Sequence, residues 1–334
     1  MLLDQLNRPI HDLRISVTDR CNFRCGYCMP KEVYDNHQFL KRSELLSFEE
    51  IEQIARVYVG LGVVKIRLTG GEPLARKELE VLISMLNAIE GLEEVSLTTN
   101  ASLLTPKRAR ALRKAGLSRI NISLDALDQT TFGQLNGIDY PVDKVLAGIE
   151  NACAAGFENI KVNMVVQKGI NENSILPMVN YFIGKNIVLR FIEFMDVGNS
   201  NQWDKSQVFG AQQIKNLIAS EHRIESIDPN YLGEVAKRWR LVGSDLELGI
   251  ISSVTEPFCR DCSRARLSAI GEIYTCLFSN KGHDLREILR TDNSAALLQE
   301  TIENIWHKRE DRYSELRATL APNTQKVEMS YIGG

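Results

Sequence analysis

Residues 13–28, LRISVTDRCNFRCGYC, join a short β-branched run to three closely spaced cysteines. Hydrophobic and polar residues alternate over residues 13–18, which predicts a strand. Cys21, Cys25 and Cys28 follow with C-x₃-C-x₂-C spacing, so they lie on the loop after that strand. Three thiolates can hold a four-iron cluster and leave one iron open for chemistry, whereas closed four-ligand sites are usually structural.

Length and composition favour an ordinary globular enzyme. The chain has 334 residues, of which 44% are hydrophobic and 25% charged; this suggests two domains, or a large barrel with an appendage. A net charge of −3 gives no basic field for nucleic acid. The first residues carry charges where a signal peptide is apolar, and no apolar run approaches a membrane span. We therefore expect a cytoplasmic protein with no nucleic-acid or membrane partner.

A second cysteine triplet stands near the other end of the chain. Cys259, Cys262 and Cys276 have C-x₂-C-x₁₃-C spacing. Because cytoplasmic thiols stay reduced, six clustered cysteines favour metal over disulfides. Zinc with a distant fourth ligand remains an alternative, although the five histidines show no zinc spacing to either triplet. The seventh cysteine, Cys153, is interpreted as a small core residue of a helix.

A strand followed by a helix recurs through the first two thirds of the chain. Five more strands are predicted over residues 64–69, 94–99, 119–124, 159–166 and 188–193. Between them, Ser47 with Glu50 forms a capping box, and Thr105-Pro106 begins a helix that Gly116 ends. Strand–helix alternation with right-handed crossovers predicts a parallel sheet or barrel of about six repeats.

Polar and apolar residues alternate along the predicted strands. The apolar face must meet the covering helices, so the polar face points into a wide lumen suited to a ligand. The polar face carries Arg14, Ser16, Thr18, Lys65, Arg67, Thr69, Ser96, Thr98, Asn100, Asn121, Ser123, Asp125, Lys161 and Asn163. A sheet with one face open to water is the alternative, which the strand–helix alternation disfavours.

After about residue 216 this rhythm weakens. Short β-like pieces follow at residues 237–242, 247–254 and 264–277, and then a charged helical tail. The pattern predicts one domain over residues 1–215 and a smaller one over residues 216–334 that carries the second triplet. The charged stretch 307–312 is interpreted as a solvated helix face.

The first triplet, with an aromatic residue before its last cysteine, resembles the signature of the radical S-adenosylmethionine (SAM) enzymes. Gly70-Gly71-Glu72-Pro73 follows the second predicted strand and is similar to the glycine-rich segment that lies along the methionine part of SAM in that family. Glycines let a backbone approach a ligand closely, and the carboxylate of Glu72 can neutralise an ammonium group.

Further segments resemble one branch of this family, the GTP 3′,8-cyclases of molybdenum-cofactor biosynthesis. They are residues 97–100, 161–163, 190–195 and 259–266, together with the terminal Gly333-Gly334. The resemblance covers nearly the whole chain. It implies an α/β fold, a partial (open) parallel βα barrel whose open side is closed by the C-terminal α+β domain. Ala101 departs from the pattern, because glycine is expected there.

The resemblance also implies two 4Fe-4S clusters, one on each triplet, with SAM on the first and the guanine of GTP facing the second. The implied SAM contacts are Tyr27, Gly70, Gly71, Glu72, Ser123 and Met195. The implied GTP contacts are Arg14, Arg67, Thr98, Lys161, Arg190, Arg264, Ala265 and Arg266, of which Arg264 and Arg266 also take part in catalysis.

Physical reasoning supports part of the GTP set. Arg14, Arg67 and Lys161 fall on the predicted lumen face, where half-buried cations need anionic partners. A triphosphate supplies such partners, and arginine binds phosphate through two donors at once. Each cation alone could pair with a neighbouring carboxylate, but cations from several strands in one lumen favour phosphate.

By resemblance, the chain is a lyase that cyclises GTP to (8S)-3′,8-cyclo-7,8-dihydroguanosine 5′-triphosphate, the first step of molybdopterin synthesis. A 5′-deoxyadenosyl radical from SAM removes the 3′ hydrogen, and the ribose radical attacks C8 of guanine. The implied partners are a flavodoxin- or ferredoxin-like electron donor and the next enzyme of the pterin pathway; a homodimer stays open. Alternatives are a peptide-modifying radical SAM enzyme and a non-catalytic zinc-binding module. Gly333-Gly334 is either a frayed end or a tail that reaches the active site.

Overall fold

A twelve-stranded sheet organises the computed structural model, which describes residues 2–231, 233–291, 294–317, 319 and 326–333. The strands are β1 (Asp12–Ser16), β2 (Lys65–Thr69), β3 (Glu94–Thr99), β4 (Arg119–Ser123), β5 (Ile160–Val166), β6 (Ile187–Glu193), β7 (Ile224–Ile227), β8 (Lys237–Leu241), β9 (Glu247–Ile251), β10 (Arg264–Leu267), β11 (Glu272–Tyr274) and β12 (His283–Asp284).

Twelve α-helices accompany the sheet in the described ranges. They are α1 (Lys31–Tyr34), α2 (Phe48–Gly60), α3 (Leu79–Asn87), α4 (Pro106–Lys114), α5 (Gln129–Asn136), α6 (Val142–Ala154), α7 (Ile175–Phe182), α8 (Ala211–Ala219), α9 (Arg286–Thr291), α10 (Ala295–His307), α11 (Tyr313–Leu316) and α12 (Met329–Ile332). None of these helices has the length and apolar character needed to cross a membrane.

The strand order defines an open barrel. Eight neighbouring strands run parallel in the order β10-β1-β2-β3-β4-β5-β6-β9. Antiparallel strands extend both edges, with β11 and β12 beyond β10 and β8 and β7 beyond β9. The two edge strands, β12 and β7, do not pair in the described sheet, which confirms the predicted open barrel. The six predicted barrel strands are present with bounds within two residues of those expected.

The last third of the chain builds on both edges of the barrel sheet. β9 pairs with β6 at one edge, and β10 pairs with β1 at the other. The second cysteine triplet is therefore brought beside the first strand, although the two triplets are more than two hundred residues apart in sequence. The division into domains at residue 215 stays a prediction.

The apolar faces of the barrel strands form the core with the surrounding helices. Ile15, Leu68 and Leu97 are fully buried in one cluster that includes Ile51 and Ile54 of α2. This burial confirms that the apolar face points outward to the helices and the polar face inward. Removing these side chains from water is the main stabilising term of such a core.

Local sequence signals fix several helix ends. Ser47 Oγ accepts from the backbone N–H of Glu50 at 3.1 Å, and the Glu50 carboxylate accepts from the backbone N–H of Ser47 at 2.7 Å. Thr105 caps α4, as predicted. The expectation for Cys153 is wrong: it is exposed, because α6 buries the face that carries Ile149 and Ala152.

Candidate active site

Both cysteine triplets line the same cavity, which has a volume of about 320 Å³. The cavity occupies the barrel lumen and also contains the polar side chains of β1, β2 and β4. The loop after β1 contributes the first triplet, and the segment around β10 contributes the second. The first triplet lies at the carboxyl ends of the parallel strands, where such barrels build active sites, whereas Cys259 and Cys262 precede β10 and lie at the amino ends. Metal sites at the two triplets would therefore face the same cavity from opposite ends of the strands.

The first triplet lies on a tightly turned loop. The backbone N–H groups of Cys28 and Met29 donate to the carbonyl of Cys25 at 2.9 and 2.8 Å. The backbone N–H of Phe23 donates to Cys21 Sγ at 3.4 Å. Burial, together with the charge of Glu72, raises the pKa of Cys21 to about 12. Metal binding at Cys21 must therefore displace a proton from the thiol.

The glycine-rich segment packs against the loop that leads to Cys21. The backbone N–H of Gly71 donates to the carbonyl of Thr18, and that of Glu72 donates to the carbonyl of Arg20, both at 2.8 Å. Gly70 has φ +129°, and a Cβ atom on it would overlap the Thr18 carbonyl. Glycine is thus required by contact between two backbone segments, in addition to any approach of a ligand.

Glu72 holds the end of β3. It is buried, and its carboxylate accepts from Thr99 Oγ1 at 2.7 Å, from the backbone N–H of Asn100 at 2.8 Å and from that of Leu74 at 2.9 Å. Burial raises its pKa to about 6 despite these bonds. Most of its acceptor capacity is therefore used within the protein, and its contact with SAM stays a prediction.

The other predicted SAM residues, Tyr27, Ser123 and Met195, also line the cavity. The Tyr27 hydroxyl donates to the carboxylate of Asp125 at 2.8 Å, and the backbone N–H of Val165 donates to the same carboxylate at 2.8 Å. Burial raises the pKa of Asp125 to about 6. Strand alternation predicts Asp125 on the lumen face. The structure adds that its carboxylate orients the Tyr27 hydroxyl.

Two arginines surround the second triplet. Arg264 Nη2 lies 3.4 Å and Arg309 Nη2 lies 3.2 Å from Cys262 Sγ. Burial alone raises the pKa of this thiol, but Arg264 and Arg309 outweigh burial and lower it to about 6. The interpretation of residues 307–312 as a solvated face is wrong for Arg309, which is only 3% exposed. Its guanidinium also donates to the carboxylate of Asp4 at 3.2 Å.

The donors of both triplets fit iron–sulfur ligation. All six cysteines are free thiols. No three His, Cys, Asp or Glu side chains in the described ranges are close enough together to hold a single metal ion. Each triplet offers three thiols to one chamber, and N–H donors contact Cys21 and Cys262. Such donors stabilise thiolates and tune cluster potentials.

A row of residues crosses the lumen, one from each of five neighbouring strands, and all of them are arginines except Ser96 of β3. Strand register places Arg266 of β10 beside Arg14, Arg14 beside Arg67, Arg67 beside Ser96 and Ser96 beside Arg119. Burial and repulsion from neighbouring arginines lower the pKa of Arg14 well below its usual value, and that of Arg266 to about 9. Arg14 and Arg67 have no ion pair with the described residues. These two guanidinium groups therefore have no directly paired anion among the described residues, and half-buried cations need one.

Comparisons with known proteins identify the family. The chain matches the radical SAM superfamily over residues 15–182 and the Molybdenum Cofactor Synthesis C family over residues 187–315. It is 51% identical to the GTP 3′,8-cyclase of Staphylococcus carnosus over 338 residues, which cover 100% of this chain and 99% of that protein. It is 49% identical to the GTP 3′,8-cyclase of Acidothermus cellulolyticus over 357 residues, which cover 99% of this chain and 98% of that protein.

The chain belongs to the GTP 3′,8-cyclase family of radical SAM proteins. Its fold is also similar to that of SuiB from Streptococcus suis in the crystal structure with bound SAM. The TM-score is 0.65 at 15% identity, over 95% of this chain and 69% of SuiB. At that identity the similarity concerns the fold alone.

Most of the GTP contacts implied by resemblance to this family lie together in the cavity. Arg14, Arg67, Thr98, Arg190, Arg264 and Arg266 line it. Gly249 leaves room for Arg190, because a Cβ atom there would lie 3.0 Å from its Cγ. Lys161 is buried but does not line the cavity, and the side chain of Ala265 is part of the hydrophobic core. Their roles in binding stay predictions.

The cavity residues that the sequence did not predict include Arg119, Tyr231 and Glu234. Arg119 shares the alternation of Asn121 and Ser123, so the pattern could have placed it on the lumen face. Tyr231 and Glu234 come from the loop between β7 and β8, where no periodic pattern exists. The Lys65 ammonium lies 3.7 Å from the centroid of the Tyr231 ring, a cation–π contact.

The described end of the chain enters the lumen. The carbonyl of Gly333 accepts a hydrogen bond from Arg266. Upstream, the Glu328 carboxylate accepts from the backbone N–H of Asn199 at 2.9 Å, and Lys326 pairs with Asp196 at 2.8 Å. Of the predicted Gly333-Gly334 tail, Gly333 therefore reaches the cavity; Gly334 lies outside the described residues.

Proposed function

We propose that this protein is a GTP 3′,8-cyclase, a lyase that converts GTP to (8S)-3′,8-cyclo-7,8-dihydroguanosine 5′-triphosphate at the start of molybdenum-cofactor biosynthesis. Full-length relatives at about half identity that carry this name support the assignment. The observation that carries it is one cavity that combines two cysteine triplets with a row of arginines, of which Arg14 and Arg67 have no ion pair with the described residues. That combination suits a radical enzyme whose substrate bears several negative charges.

The two triplets are proposed to hold two 4Fe-4S clusters. A cluster held by Cys21, Cys25 and Cys28 would supply the one-electron chemistry that reductive cleavage of SAM requires. The chain itself orients SAM through Tyr27, Ser123 and Met195 and excludes water with the surrounding barrel. The second triplet lies beside Arg264 and is proposed to face the guanine of GTP.

The cation row is proposed to bind the triphosphate. Arg266 is buried and Arg14 and Arg67 are half-buried, and none of the three has an ion pair with the described residues. A phosphate chain would relieve the repulsion among them. Arg190 and Lys161 extend the positive region toward β5 and β6. Binding energy at the phosphates can hold the reacting ribose in a fixed orientation between SAM and the second triplet.

The remaining partners are proposals from family resemblance. They are a flavodoxin- or ferredoxin-like electron donor and the next enzyme of the pterin pathway, while a homodimer stays open. A cytoplasmic location follows from the need for reduced thiols. The division of the chain near residue 215 is retained as a proposal.

A peptide-modifying radical SAM enzyme is the second candidate. The structure of SuiB bound to its precursor peptide SuiA has a TM-score of 0.62 at 16% identity over 89% of this chain, so the fold alone accommodates such chemistry. A peptide substrate, however, would not supply the several negative charges that the arginines of this lumen need. The cation row therefore favours the nucleotide.

An anaerobic assay tests the proposal. Protein with reconstituted clusters is mixed with GTP, SAM and a strong reductant, and the products are separated by chromatography and mass spectrometry. The proposal expects 5′-deoxyadenosine and a cyclised nucleotide to appear together with GTP, and no cyclised product with ATP. SAM cleavage without nucleotide product, or zinc without iron in anaerobically purified protein, would refute it.

A further inference from the structure

We infer that Arg119, on the lumen face of β4, binds the terminal phosphate of the nucleoside triphosphate, and that Glu94 is its counter-ion while the site is empty. This inference rests on the proposed function and names a further substrate-binding residue within the same cavity. It depends on the register of five strands, on the partners of one guanidinium and on the direction of the cation row.

Strand register makes Arg119 the end of the cation row. Arg67 pairs with Ser96 on the neighbouring strand, and Ser96 pairs with Arg119 on the next. Arg67 and Arg119 both line the main cavity and a smaller pocket beneath it. Ser96, which lies between them in the register, has a short side chain and lines the smaller pocket. A phosphate group above Ser96 would therefore be approached by an arginine from each side.

The guanidinium of Arg119 has spare hydrogen-bonding capacity. Its Nη2 donates to Glu94 Oε1 at 2.5 Å, its one side-chain hydrogen bond with the described residues. Its Nε is buried without a partner. An arginine carries five N–H donors, and a buried donor without an acceptor is costly. The unused donors and the cavity position together indicate an anionic ligand.

The charge of Arg119 also acts on other lumen cations. Burial is the largest cause that lowers the pKa of Arg67, and repulsion from Arg119 is the next. Burial and repulsion from neighbouring cations, Arg119 among them, lower the pKa of Arg190 to about 10 and that of Lys161 to about 7. Three cations on three other strands thus feel its charge. Glu94 offsets only part of this repulsion. A polyanion bound among the four groups would offset much more of it.

The direction of the row assigns the phosphate position. Arg264 and Arg266 mark the end beside the second triplet, which is proposed to receive guanine. β4 is four strand steps from β10, or about 19 Å along the sheet at about 4.8 Å per step. Of the arginines in this register row, Arg119 is therefore the furthest from the base, while the lumen cations Lys161 and Arg190 lie on strands beyond it. The terminal phosphate is the part of the nucleotide that extends furthest from guanine.

The test compares GTP and GDP binding to a double variant. Glu94→Gln is combined with Arg119→Gln so that no carboxylate loses its partner. Losing a charge-assisted hydrogen bond to phosphate should weaken GTP binding by about 10- to 100-fold and leave GDP binding within about threefold. Calorimetry measures both constants on cluster-loaded protein. Arg113→Gln, on the exposed side of α4, is the matched control and should change neither constant.

Two additional variants sharpen the test. Glu94→Gln alone frees Arg119 and should bind GTP at least as tightly as the parent protein; weaker binding would refute the counter-ion role. Arg119→Lys keeps the charge but loses the planar fork, and should lose GTP-over-GDP preference partially. If thermal unfolding shows that the double variant does not fold, Arg119→Lys is tested in its place.

The outcomes separate this inference from the proposed function. Unchanged GTP affinity in the double variant, within about twofold, would show that Arg119 does not bind phosphate. An equal loss for GTP and GDP would refute the terminal position. If the parent protein forms no cyclised product from GTP, the proposed function fails, whatever the Arg119 variants do.

Discussion

A Cβ atom on Gly71 would overlap the carbonyl oxygen of Arg20, so these two residues meet backbone to backbone. Cys21, the first cysteine of the first triplet, directly follows Arg20. The backbone N–H of Glu72 also donates to that carbonyl at 2.8 Å. The glycine-rich segment therefore fixes the position of the cysteine loop, and the two sequence motifs act as one structural unit.

Replacing Gly71 by alanine should disrupt the first metal site. The added methyl must push the Arg20 carbonyl and Cys21 away, a backbone shift that costs about 1–3 kcal/mol. We expect the first triplet to lose most of its iron and 5′-deoxyadenosine formation to be abolished. Iron and sulfide analysis with a SAM cleavage assay measures both. Gly60→Ala is the control, because its added Cβ meets no atom within 4 Å; full iron content in Gly71→Ala would contradict the packing argument.

Removing one cation from the row should separate nucleotide binding from SAM cleavage. Arg67 is a half-buried arginine without an ion pair among the described residues, so Arg67→Ala takes away a phosphate partner without leaving a carboxylate unpaired. We expect GTP affinity to fall by about 10- to 100-fold while iron content and part of the SAM cleavage remain. Calorimetry and product analysis check this. Arg110→Ala on the exposed side of α4 is the control, and normal GTP binding by Arg67→Ala would overturn the lumen argument.

Lys161 should make GTP binding depend on pH. Burial, Arg190 and Arg119 lower its pKa to about 7, against smaller opposing effects of Glu234 and Glu247. A bound triphosphate favours the ammonium form, so binding takes up a proton above pH 7 and affinity falls as the pH rises. Below about pH 6 the lysine is already charged, and this proton uptake disappears.

Calorimetry at about pH 6 and about pH 8 in buffers with different heats of ionisation measures the proton uptake. We expect close to one additional proton at the higher pH. Lys161→Met is the reference, since it retains the phosphate ionisations of GTP and lacks only the lysine. If both proteins take up the same number of protons, Lys161 does not sense the triphosphate.

The barrel could be predicted because its strands combine a period of two with polar lumen residues. Residues such as Arg14 and Arg67 alternate with fully buried ones such as Leu13 and Ile66, and local signals such as the Ser47 capping box marked the helix starts. These signals act over a few residues. They therefore survive without knowledge of the tertiary structure.

The parts that could not be predicted depend on contacts across the whole chain. Arg309 pairs with Asp4, 305 positions away, and Glu234 reaches the cavity from a loop without periodicity. A charged residue near the end of a helix is exposed by default, and only docking of the C-terminal segment on the barrel buries it. Ala101 is a milder case: it adopts φ +57° where glycine was expected, and the turn is retained.

Arg309 provides the last prediction, because it joins the second triplet to the start of the chain. Its guanidinium donates to the carbonyl and Sγ of Cys262 at 2.7 and 3.2 Å, and to the Asp4 carboxylate. A lysine ammonium keeps the charge but lacks the fork that reaches these groups together. Arg309→Lys should therefore lose about half of the total iron, since one of two clusters is affected, and should retain SAM cleavage at the first triplet.

Iron content and electron paramagnetic resonance of the reduced protein measure this outcome. Arg312→Lys, an exposed neighbour, is the matched control and should keep all of its iron. Asp4 also pairs with Arg8 at 2.6 Å, so the variant leaves no isolated buried carboxylate and should remain folded. Full iron content in Arg309→Lys would show that the second triplet does not need this guanidinium, and loss of iron from the first triplet instead would reverse the assignment.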